Sequence, residues 1–131
     1  MSAVPEALVE AVVREVSERL ADPAYAQLAV GSFVAAQPHI TRFLSAQGTA
    51  LGGEGIVHAA FHAELIREAL ERHLDAPPRV ASFRDLDAAA GPDALKRFAA
   101  KQPALASYLA SNVDDEPLRE LLAHVGLVLA R

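Results

Sequence analysis

The chain has 131 residues, among them 28 alanines, 17 leucines and 12 valines, with 52% hydrophobic and 22% charged residues. That length fits one domain, 1–131, and the apolar content excludes intrinsic disorder. A net charge of −5 leaves no basic field for nucleic acid or an anionic membrane surface, and the lack of cysteine excludes disulfides, thiolate metal sites and cysteine nucleophiles.

Isoleucine and threonine are scarce beside alanine and leucine, which favours helix over sheet. The fold expected is all-α, a compact bundle of about six helices. The first residues carry no basic leader, so no signal peptide is expected and the chain reads as cytoplasmic. No charge-free apolar run reaches the ~18 residues of a bilayer span.

In chain order, helical spacing of Leu8, Val9, Val12, Val13, Val16 and Leu20 predicts a first helix from Pro5 to Leu20. Asp22-Pro23 opens a second, from Ala24 to Gln37, with Gly31 inside it as the mark of a close helix crossing. At Gln37-Pro38 the helix must kink or restart, because proline removes a donor and crowds the preceding turn. A short segment carrying Ile40, Phe43 and Leu44 runs on to Gly48. The glycine-rich stretch 48–55 lacks a P-loop lysine and reads as a flexible connection.

The third and longest helix is expected from Glu54 to Leu74. Its charged arc of Glu64, Arg67, Glu68, Glu71, Arg72 and Asp75 is expected to face solvent. Pro77-Pro78 ends it, and Ser82 with Asp85 forms a capping box for a short helix closing at Gly91. Pro92-Asp93 opens the next helix, interrupted at Gln102-Pro103 and resumed to Val113. Asp114-Asp115-Glu116-Pro117 starts the last, with acids at the positive end of its dipole.

Residues 33–47 align without gaps to residues 98–112, at an offset of 65. Phe33/Phe98, Ala35/Ala100, Gln37/Gln102, Pro38/Pro103 and Leu44/Leu109 are identical, and the chain's two Gln-Pro steps coincide. This points to an internal duplication, with half-repeats of about 1–52 and 53–131 related by an approximate two-fold axis.

Candidate chemistry is sparse. His58, His62 and His73 share a flank of the third helix on a helical wheel, and His58/His62 at i, i+4 are the pair that could hold a metal ion. With Phe61 and Tyr25 they are the candidate ligand-binding set. No nucleophile elbow or Glu-x-x-His spacing occurs, no cofactor is implied, and catalysis finds little support. The last helix is apolar nearly all round, so it is either central or covered by a partner. Leu121, Leu122, Val125, Val128 and Leu129 are accordingly the candidate interface of a homodimer or protein complex. The leading reading is a non-enzymatic helical interaction or regulatory module; the alternative is a small-molecule- or metal-binding bundle using His58, His62 and His73.

Overall fold

The pattern of Val9, Val12 and Val16, all buried on one stripe, builds the first helix, α1 (Glu6–Arg19). Glu6 in its first turn and Arg19 in its last both complement the helix dipole. The computed structural model describes residues 2–131, with side chains throughout except at 48–51. It continues with α2 (Tyr25–Ala36), α3 (Pro38–Ala46), α4 (Gly48–Leu74) and α5 (Phe83–Ala89). The remaining helices are α6 (Ala94–Lys101), α7 (Pro103–Asn112) and α8 (Glu116–Leu129). No strand occurs among the described residues, so the all-α reading holds.

Among the described residues the count is eight rather than about six, because each Gln-Pro step separates two helices instead of kinking one. Gln37 (φ −137°, ψ 71°) and Gln102 (φ −136°, ψ 72°) leave the helical region in nearly the same way. Proline crowds the preceding residue out of that region and then starts the next helix, where its missing N–H has no partner to lose.

Other terminators behave as their chemistry requires. Ser82 and Asp85 form the reciprocal capping box of α5, and Asp115 accepts from the Leu118 amide at the start of α8. The α6 N-terminus lacks a local cap; Glu120 of α8 supplies one, accepting from the Leu95 amide at 2.8 Å. The stretch 48–55 is not a loop. It lies within α4, broken only at Gly52, whose φ of 73° and ψ of 169° suit glycine alone.

The core draws on every helix. Its largest fully buried side chains include Phe33 and Phe98, Ile40 and Leu105, Leu44 and Leu109, and Gln37 and Gln102, all matched pairs at the 65-residue offset. The packing also maps onto itself when α1–α4 is exchanged with α5–α8. Thus α2 packs on α4 as α6 does on α8, and α1 on α7 as α5 does on α3, while α4 and α8 cross each other. By this correspondence the division falls in the 75–78 segment, not at residues 52 and 53. Wheel periodicity alone hides the boundary, because the glycines there interrupt a helix rather than end one.

The two glutamines join the matched parts. Gln37 donates from Nε2 to the Arg79 carbonyl (3.0 Å) and accepts at Oε1 from the Ala81 amide (2.9 Å). Gln102 does the same with Ser2 (3.1 Å) and Val4 (2.8 Å). Each side-chain amide thereby satisfies the backbone of the extended segment leading into the first helix of the other half.

Two expectations about exposure are corrected. Gly31 faces open space rather than a crossing helix, whereas Gly126 does lie under a neighbour, the Phe98 ring. Glu64 is only 6% exposed, because the arc assigned to water passes beneath α2. Arg67 donates to it from Nε at 3.0 Å. Burial nevertheless raises the Glu64 pKa, outweighing the lowering effect of that hydrogen bond. On the exposed part of the arc, Arg72 bonds both Glu68 on its own helix and Glu15, which ties α4 to α1.

Candidate functional site

α1 and α7 start close together, because Gln102, at the head of α7, holds the residues just before α1. Between them lies an open groove of about 630 Å³. Its apolar surface comes from Val4, Val9, Val13, Pro103 and Ala104. Glu6, Glu10 and Arg14, one turn apart in succession along α1, form one wall, and Ser107, Ser111 and Asn112 of α7 form the other.

Tyr108 lines the groove while being almost wholly buried. Its hydroxyl lies 2.6 Å from Nδ1 of His62, reaching across from α7 to α4. Burial, with a smaller contribution from His58, lowers the His62 pKa, and burial raises that of Tyr108 far above the ordinary phenol. Both groups are therefore neutral near pH 7, and a single proton is shared between the phenol oxygen and the ring nitrogen. The pair holds its proton rather than releasing it, which suits positioning better than acid–base catalysis.

The pairing has a stability consequence with a definite sign. A histidine held neutral in the fold but free to protonate when unfolded costs stability as pH falls below its unperturbed 6.5. His62→Gln keeps a hydrogen-bonding group and removes the titration. The stability difference between wild type and His62→Gln, measured by urea unfolding, is expected to narrow between pH 7 and pH 5. A difference that stays constant over that range would contradict the buried neutral imidazole.

The five residues grouped from sequence do not converge. His62 turns inward to Tyr108, His58 is exposed, and His73 contacts the Ser2 hydroxyl at 2.9 Å. A wheel reports azimuth and not height: His62 and His73 are eleven residues apart, roughly 16 Å along the axis. Phe61 stacks edge-on against His62 and also meets Tyr25, at a cavity of about 10 Å³ between α2 and α4 that takes at most one water. Among the described residues no three His, Asp or Glu side chains come together as metal ligands, so His58 and His62 lack a third partner.

The apolar stripe of α8 is spent inside the chain. Leu122, Val125, Val128 and Leu129 are buried and Leu121 is half-buried, because α8 lies against α4, α5, α6 and α7. That face is not open to a second copy.

Sequence reasoning missed the role of Tyr108, and the 65-residue offset that pairs it with Phe43 was the signal that could have found it. Phe43, the match of Tyr108, stacks edge-on against His124 of α8 at 5.2 Å, as Tyr108 meets His62 of α4. His124 donates from Nε2 to the Leu86 carbonyl instead. Only the α4–α7 pair carries a hydroxyl, and that pair borders the groove.

Fold and site together define an all-α protein of two matched four-helix parts with a lateral groove. No family model, no curated protein and no solved structure matches the chain. No helix among the described residues is long and apolar enough to cross a membrane.

Proposed function

We propose that the protein is a non-enzymatic helical binding module whose working site is the α1–α7 groove. The observation that carries this reading is the groove itself. Its volume lies in the ~300–1,000 Å³ range of small-ligand sites, and it combines apolar floor with a few placed polar groups. The neutral Tyr108–His62 pair beneath it fixes one polar wall without supplying an activated base. This keeps the binding alternative read from sequence and shifts its location: His62 acts one hydrogen bond behind the surface, while His58 and His73 lie outside.

A fragment screen on isotope-labelled protein tests the assignment. Hits are expected to shift the backbone amides of Val9, Val13, Ser107 and Ser111, and Ala104→Trp, which fills the groove, is expected to abolish those shifts. Hits that cluster elsewhere, or a screen without hits, would overturn it.

A further inference from the structure

The two glutamine clamps set a residue-by-residue register between the matched parts. Ser2 corresponds to Arg79 and Val4 to Ala81, so the helix caps Pro5 and Ser82 correspond as well. Glu6 therefore stands where Phe83 stands, and by the 65-residue offset Ala104 stands where His39 stands. Between α3 and α5, His39 and Phe83 stack edge-on with ring centroids 5.1 Å apart. Between α1 and α7, the same two positions hold Ala104 and Glu6, and both line the groove. The fold thus accommodates two rings at this place in one half and leaves it open, edged by a carboxylate, in the other.

The charges at the opening are unspent. Glu6 and Glu10 are exposed and lie one turn apart, and no ion pair among the described residues involves either. Arg14 lies roughly 12 Å from Glu6 along the helix, so the groove is acidic at its Pro103 end and basic at the other.

We propose that the groove takes an arylalkylamine, an organic cation with an aromatic body. Its ammonium lies against Glu6 and Glu10, and its ring lies on Val9, Val13 and Ala104, in the space that His39 and Phe83 fill in the other half. This rests on the reading of the groove as the binding site. The ligand's polarity follows from the wall: a cation belongs at the Pro103 end, away from Arg14, and an anion of the same shape meets two carboxylates there.

Three probes of one shape separate the claims: 4-phenylbutylamine, 4-phenylbutanol and 4-phenylbutyrate, each titrated into the full chain and followed by amide shifts on α1 and α7. The amine is expected to bind about tenfold more tightly than the alcohol, as two partly exposed ion pairs allow, and the carboxylate most weakly. Glu6→Gln with Glu10→Gln, both on the surface, is expected to erase the amine's advantage and keep the alcohol's affinity. Glu6→Phe with Ala104→His, which rebuilds the ring pair, is expected to block all three. Equal binding of amine and alcohol at α1 and α7 overturns the cation and leaves the groove as the site. Failure of all three probes to shift α1 and α7 overturns the groove as well.

Discussion

Gln37→Leu is expected to lower stability by about 3 kcal/mol, or roughly 10 °C in Tm, although the substitution nearly conserves volume. Leucine fills the same space, so little cavity opens. What disappears is a donor to the Arg79 carbonyl and an acceptor for the Ala81 amide. Ala81 is 1% exposed, so its N–H has no water to turn to. A buried backbone group left without a partner costs ~1–3 kcal/mol. Gln102→Leu strips Ser2 and Val4 in the same way, with the Val4 amide also buried. Chemical denaturation of both variants measures the effect; a loss under about 1 kcal/mol at each site would show that the clamps close the fold without supporting it.

Gly126→Ala is expected to destabilise by about 1–2 kcal/mol, although alanine is the better helix former by ~1 kcal/mol. A Cβ at Gly126 would lie 2.6 Å from Cζ of Phe98 and 2.8 Å from its Cε1. That ring is fully buried and has nowhere to retreat. In the Gly126→Ala background, Phe98→Leu should therefore cost less than it does alone, because the shorter side chain relieves the clash. Gly31→Ala provides the opposite sign. With no atom within 4 Å of its would-be Cβ, that change is expected to add ~0.5–1 kcal/mol. Thermal melts of the three single variants and the double variant decide the matter, and equal shifts for Gly31→Ala and Gly126→Ala would refute the packing argument.

Those two glycines show where sequence reasoning stops. Helical spacing, the Ser82–Asp85 box, the Asp115 start and both Gln-Pro steps are local, because backbone sterics and capping act within one turn, and all were legible. Whether a glycine lies under another helix depends on which neighbour crosses it, and the sequence treats Gly31 and Gly126 alike. Glu64 was misplaced for the same reason, since a wheel shows the arc of α4 and not the helix laid over it. The histidine set failed on height along the axis. The glutamines were noticed as a repeated signature, yet their partners lie 42 to 100 residues away in sequence. The groove was least legible, because it arises from what two distant positions lack relative to their matches. Only the register set by the clamps makes that comparison available.

The clamp on Ser2 and Val4 also has a consequence in time. Gln102 follows Val4 by 98 residues, so a chain growing at ~5–20 residues per second makes the entry to α1 roughly 5–20 s before the residue that holds it. During synthesis α1 is therefore complete well before its clamp can close. Until α7 emerges, its stripe of Val9, Val12 and Val16 can lie against α4 but not against α7. The groove that α1 forms with α7 comes into being only after α7, ending at Asn112, has been made.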